Sequence, residues 1–225
     1  MNRTRLIGLF LLLIAFTGCI TIEENYTFKK NGSGTMEYVV DMSQIGEMLK
    51  AFEDMGDGKG KEDKDAGLNQ LDMKEQVSAL KNVPGIKKVK LNNKDKYVQR
   101  VSFAFADLNA LNAALNVLME DSTDTQHTFF QWEGNTLVRR SNGHARDIGL
   151  GMGNEDPSDT TDMTELLSSM KYKYRFTFQE PIANTEVAEG MAKESPDPRT
   201  VKLDTDFSVI GKDEKVLDLR IELKR

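Results

Sequence analysis

The chain has 225 residues, 39% hydrophobic and 29% charged, which is enough apolar material for one sizeable core. Its 30 Lys and Arg stand against 36 Asp and Glu, a net charge of −6. That balance disfavours nucleic acid as a partner and broad adhesion to an anionic membrane surface, since both reward clustered cations.

The first stretch is Arg3-Thr4-Arg5 followed by the apolar run Leu6 to Phe16 and then Thr17-Gly18-Cys19. Two cations, an apolar run too short to span a bilayer and small residues after it read as a secretory signal. Cys19 is the sole cysteine, so no intrachain disulfide forms. A lone cysteine at the end of an export signal resembles the bacterial lipobox, with Phe16 in place of the usual aliphatic residue. The resemblance implies transfer of diacylglycerol to the Cys19 thiol, cleavage before it and acylation, typically with palmitate, of the new amino group. Loss of residues 1 to 18 leaves 207 residues with 28 basic and 36 acidic side chains, a net charge of −8 when the terminus is acylated. The expected organisation is a signal peptide over 1–18 and a single lipid-anchored domain over 19–225, attached to the membrane through acyl chains and not spanning it.

From Ile20 the chain alternates at period two, with Ile20, Ile22, Glu24, Tyr26 and Phe28 on one side. Met36, Tyr38, Val40 and Met42 repeat the pattern after Lys30-Asn31-Gly32-Ser33-Gly34, which predicts a hairpin with a glycine turn. A strand that starts one residue after the lipid leaves no tether, so the domain lies close to its bilayer. Ser43 begins a helix with Ile45, Met48, Leu49, Phe52 and Met55 on one stripe. Residues 56–68 are mostly charge and glycine, and predict a mobile loop. The interleaved lysines there exclude a calcium loop, which needs oxygen ligands at fixed alternate positions.

Asp72 to Glu75 predicts a capped helix start, with Val77 and Leu80 buried and Pro84-Gly85 as the stop. A second hairpin follows, with strands at Ile86 to Leu91 and Tyr97 to Phe105 and a turn at Asn92 to Asp95. The helix Asp107 to Met119 has Leu108, Leu111, Ala114, Leu115, Leu118 and Met119 on one face, widened by Ala110, Ala113 and Val117. Asn109, Asn112 and Asn116 are confined to the remaining strip, and Asn112 is the candidate ligand-binding residue if that strip borders a pocket. Phe129 to Trp132 and Leu137-Val138 predict a third hairpin. Residues 141–160 predict a second mobile loop, whose Gly149, Gly151 and Gly153 lack the strand, helix start and lysine of a phosphate loop.

Thr161 caps a short helix leading into the alternating Tyr172, Tyr174, Phe176, Phe178 strand, which Pro181 ends. Residues 182 to 198 read as irregular. Two strands close the chain, at Val201 to Phe207 and Leu217 to Leu223. The expected fold class is α+β, with antiparallel β-hairpins forming a sheet and amphipathic helices packed on one face.

No catalytic constellation stands out. The single cysteine is committed to lipid, His127 precedes an aromatic strand, and His144 lies in a loop expected to be too mobile for proton transfer. Two histidines without a thiol supply a zinc site poorly, so neither a metal nor a cofactor is expected. Three features resemble the LppM-type envelope lipoproteins. These are the lipid cysteine followed at once by a strand and an Asn31-Gly32-Ser33-Gly34 turn, the phrase Phe103-Ala104-Phe105-Ala106-Asp107-Leu108, and Tyr174-Arg175-Phe176-Thr177-Phe178-Gln179-Glu180-Pro181 followed by two strands. The resemblance implies an α+β domain on an envelope membrane, of a kind associated with binding lipid or glycolipid, and carries over no site residues.

The expected function is a non-enzymatic lipid-anchored lipoprotein binding a hydrophobic or glycolipid ligand or an envelope protein. The alternatives are a structural component of an envelope complex and a hydrolase built on a carboxylate pair. Ile20 after the cysteine, where aspartate would retain a lipoprotein on the inner membrane, favours the periplasmic face of the outer membrane.

Overall fold

The computed structural model describes residues 20–44, 46, 73–123, 125–151 and 160–224. The signal segment, Cys19, most of the helix expected after Ser43, the loop 56–68 and Asp72 lie outside the described residues. The architecture is mixed α+β, built on a large and mostly antiparallel sheet. In chain order the elements begin with β1 (Thr21–Phe28), β2 (Gly34–Asp41), α1 (Lys74–Leu80), β3 (Ile86–Asp95), β4 (Val98–Phe105) and α2 (Leu108–Leu118). They continue with β5 (Phe130–Glu133), β6 (Thr136–Arg139), α3 (His144–Gly151), α4 (Thr160–Ser169), β7 (Lys171–Phe178) and β8 (Ile182–Val187). The last are β9 (Ala192–Asp197), β10 (Thr200–Asp206), α5 (Phe207–Ile210), a 3₁₀ turn (Glu214–Leu217) and β11 (Leu219–Leu223).

The strands form two sheets, not the one expected. Seven are ordered β3-β4-β2-β1-β7-β10-β9, and four are ordered β5-β6-β11-β8. The closing strands β10 and β11 therefore separate: α5 and the 3₁₀ turn carry the chain from one sheet to the other. Residues 182 to 198, expected to be irregular, supply β8 and β9. Both are edge strands, and β9 is exposed throughout, so neither carries the alternating apolar pattern that marks a half-buried strand. The central pairing is also one that adjacent hairpins do not predict. β1 runs parallel to β7, with Ile22 opposite Tyr172 and Phe28 opposite Phe178.

Alternation sets the faces. Ile22, Glu24, Tyr26 and Phe28 of β1 are buried, as are Tyr172, Tyr174, Phe176 and Phe178 of β7. The opposite parity of these strands is polar, with Lys173 of β7 reaching Asp204 of β10 at 3.8 Å. Tyr26 stacks on Phe176 at 5.1 Å and meets Phe130 of the smaller sheet edge-on at 5.0 Å, so aromatic contacts join the two sheets.

The helix predicted from Asp107 is present. The Asp107 carboxylate accepts from the Ala110 N–H at 2.9 Å as its N-cap, and Ala110, Leu111, Ala114, Leu115 and Leu118 are buried. Ala113 is exposed, so the apolar face is narrower than the sequence suggests. α1 begins at Lys74 behind Met73, with no side chain capping it. The second loop differs most from expectation. Residues 144–151 are helical, and His144 and Ala145 are buried, while residues 152–159 lie outside the described residues.

Leu111 is fully buried against this core. Leu111→Ala should lower the unfolding free energy by about 2 to 5 kcal/mol without changing the denaturant slope, measured by urea unfolding.

Candidate functional site

Glu24 stands in the middle of the inner face, opposite Tyr38 of β2 on one side and Tyr174 of β7 on the other. It is wholly buried, as is Arg139 at the end of β6. The guanidinium Nη2 donates to both Glu24 oxygens at 3.0 and 3.1 Å, and Nη1 reaches the Leu217 carbonyl at 3.4 Å. Tyr26 and Tyr172 each donate a hydroxyl hydrogen bond to Glu24. The Arg139 Nε has no hydrogen-bond partner, but the guanidinium lies 4.5 Å from the Tyr174 ring and 5.7 Å from that of Phe130.

Burial, with Glu24 beside them, raises Tyr26 and Tyr172 well above the ordinary phenol range. Both therefore remain neutral donors to the carboxylate. Burial alone would lower Arg139, but the adjacent Glu24 and tyrosines outweigh it and hold it charged. Both charged groups are buried and bonded to one another, so the cluster ties the two sheets together.

His144 extends the same layer. Its Nε2 lies 3.0 Å from the Tyr38 hydroxyl, and burial lowers its pKa, against weaker upward pulls from Glu24, the Glu120 backbone and Asp147. The imidazole is held neutral and ordered, contrary to the mobile loop expected for it. His127 Nε2 sits 3.0 Å from Asp121 Oδ2 without a hydrogen bond between them, and the Asp121 carboxylate accepts from Thr123 and Gly143. The two histidines thus lie in separate settings.

Asn112 and Asn116, one helical turn apart on α2, act as a ladder. Asn112 accepts from the Phe130 N–H at 2.8 Å and donates to the Phe130 carbonyl at 2.9 Å. Asn116 does the same for His127, at 2.7 and 2.8 Å. Each amide imitates a neighbouring strand, so Asn112 is engaged with backbone and is not directed into a pocket.

The candidate binding site lies elsewhere, at the end of β1. There a groove of about 490 Å³ opens between the β1–β2 turn, the β5–β6 turn, the exit of β7 and the final strand. Its apolar wall is Phe28, Trp132, Phe178 and Leu223, and its rim includes Lys29, Lys30, Gln179 and Lys224. Phe28 stacks on Phe178 at 5.4 Å and meets Trp132 edge-on at 6.4 Å. Backbone and amide bonds fix the rim. The Lys30 N–H donates to Gln179 Oε1 at 3.1 Å, Asn135 Nδ2 to the Leu223 carbonyl at 2.7 Å, and the Lys224 N–H to the Pro181 carbonyl at 2.8 Å. Such a groove can take an apolar chain against the aromatics and a polar group at the rim. Among the described residues, no group of three or more His, Cys, Asp or Glu is placed to hold a metal ion, and no helix is long and apolar enough to cross a membrane.

Sequence reading missed Glu24, although a signal was present: an acid in the apolar parity of β1 requires a buried partner. Arg139 gave no such signal, because Leu137, Val138 and Arg139 are all buried and the strand shows no alternation. The groove gave none either, since four separate segments assemble it.

The fold and groove define an α+β domain with two sheets and an amphiphilic surface cleft. No family model matches the chain, and no curated protein matches it. Among solved structures it is similar to the NMR structure of the folded domain of Mycobacterium tuberculosis LppM, at 13% identity and a TM-score of 0.48, covering 93% of this chain and 92% of that one.

Removing either partner of the buried pair strands a charge or a cation site. Glu24→Gln and Arg139→Met should each cost about 3 to 5 kcal/mol, and the double variant less than their sum, as read by a double-mutant cycle in urea. His144 gives a second test. The unfolded chain takes up its proton near pH 6.5, and the folded chain only at lower pH. Its contribution to stability is therefore full above about pH 6.5 and is lost progressively as pH falls below it. The stability difference between wild type and His144→Gln should change with pH between 7 and 5, and a flat difference would show that His144 is not held neutral.

Proposed function

We propose that the chain is a lipoprotein of the bacterial envelope that loses residues 1–18, is held to a membrane by acyl chains on Cys19, and binds a hydrophobic or glycolipid ligand without catalysis. Residues 19–225 then form one anchored domain, and Ile20 after the cysteine supports the periplasmic face of the outer membrane. The single observation that carries the ligand reading is the groove, where the aromatic stack of the inter-sheet layer meets the surface beside Trp132, with lysines and amides at its rim. The anchor reading is supported by the signal-like segment ending in the sole cysteine, with the next residue already in the fold. The Ile20 side chain is buried, and its carbonyl accepts from the Lys171 N–H at 2.8 Å.

Trp132 is the only tryptophan, so the site carries its own reporter. Titration with a fatty acid or lysophospholipid below its micelle concentration should shift Trp132 emission to shorter wavelength, and a brominated chain should quench it. An apolar ligand that binds without altering Trp132 emission, or no binding of any such chain together with no lipid on the detergent-extracted protein, overturns the reading.

A further inference from the structure

We propose that β3 is a docking edge for a partner protein, which lays an extended segment alongside it as an added strand. The segment that fits carries acidic residues at alternate positions, with apolar residues between them. This surface is separate from the Trp132 groove and from the anchor.

Three observations carry it. First, β3 closes one side of the seven-stranded sheet and pairs with β4 alone. The Ala106 N–H donates to the Gly85 carbonyl at 3.0 Å, so residues of β4 with the parity of Ala106, among them Ser102 and Arg100, turn their main-chain groups toward β3. Lys90 and Asn92 stand opposite those two. Leu91 between them therefore directs its N–H and carbonyl to the open side, where a further strand would bond.

Second, the charge along this edge has one sign. Residues 81 to 94 contain five lysines, Lys81, Lys87, Lys88, Lys90 and Lys94, and no acid, in a chain whose net charge is −6. All five are exposed, and none is paired with an acid among the described residues. The opposite edge of the same sheet, β9, is blunted by Pro196 and mixes Lys193 with Glu194 and Asp197. Two β3 edges would bring lysine against lysine, so the same charges that repel a second copy attract an acidic strand.

Third, the strand is distorted in a way that gathers these lysines. Lys87 opposes Ala104 and Lys90 opposes Ser102, so the register shifts by one residue between them. Within that bulge Lys88 has φ +57°, a left-handed conformation that costs a side-chain-bearing residue free energy. Without the extra residue Lys90 would fall on the inner, apolar face, because a slip of one position exchanges the faces. With it, Lys87 and Lys90 share the outer face, where Lys88 and Lys90 line a cavity of about 360 Å³ with Thr35, Glu37 and Ser102.

The faces of β3 set the pattern of the partner. Side chains of an added strand that stand beside Lys87, Lys90 and Asn92 project over the outer face, and those beside Leu91 project inward, where Leu91 and Val89 pack half-buried on the core. Acids suit the first set and apolar residues the second. An anionic bilayer would answer the lysines but not the main-chain groups of Leu91, which favours a protein strand.

A fluorescent peptide of about ten residues, alternating glutamate and valine, tests this by anisotropy titration against the full chain in non-ionic detergent. The peptide should bind, more weakly as salt is raised. The same peptide with every amide N-methylated keeps its charges but loses its main-chain donors, and should bind roughly tenfold more weakly or worse. Lys87→Glu with Lys90→Glu, and separately Leu91→Pro, should each weaken binding by a similar factor, while Lys212→Glu, at an exposed lysine outside β3, should not. Leu91→Pro removes an outward N–H and leaves the β4 ladder intact; if it does not fold, the lysine pair decides. Hydrogen exchange at the Leu91 amide should slow when the peptide binds. Absence of saturable binding, equal binding of the N-methylated peptide, or a Leu91 amide already protected in the chain alone overturns the proposal. Binding of phosphatidylcholine–phosphatidylglycerol vesicles through the same lysines, undisturbed by the peptide, overturns it in favour of a membrane surface.

Discussion

The structure depends on the ion pair between Glu24 and Arg139. Two charges removed from water cost several kcal/mol each, and the cost is offset only where geometry and additional hydrogen bonds are good. Here one guanidinium nitrogen shared between both oxygens and two tyrosine hydroxyls satisfy the carboxylate, and two aromatic faces flank the guanidinium. Glu24 belongs to the large sheet and Arg139 to the small one, so the pair fixes how the sheets meet.

Around that point the packing follows in two directions. Across the sheet, Tyr38 lies level with Glu24 and continues the polar layer to His144 at the start of α3. Along β1 toward Phe28 the layer becomes wholly aromatic, from Tyr26 and Phe176 to Phe28, Phe178 and finally Trp132 at the surface. The groove is where this layer runs out of protein. Its rings pack on their neighbours, and backbone and amide hydrogen bonds tie its rim. The asparagine ladder of α2 secures the approach to β5, holding His127 and Phe130 by their main-chain groups. An apolar wall with polar groups at its edge suits an amphiphile.

The sequence by itself determined what local periodicity and composition encode. Alternation from Ile20 to Phe28 and from Tyr172 to Phe178 marks strands and their buried faces, because side chains on a strand alternate sides. The spacing of Leu111, Leu115 and Leu118, with Asp107 ahead of them, marks a helix and its cap. The charge balance and the sole cysteine after an apolar run set the expected anchor. Tertiary structure alone decided the parallel pairing of β1 with β7, the split into two sheets, the partner of Glu24, the helical state of residues 144–151 and the location of the groove. The strand pairings, the partner of Glu24 and the groove join segments far apart in the chain, and burial by a distant segment leaves no periodic trace in the segment itself. Asn112 shows the limit most plainly: its position on the polar strip was legible, but its partner, the backbone of Phe130, has no side-chain identity that a sequence can display.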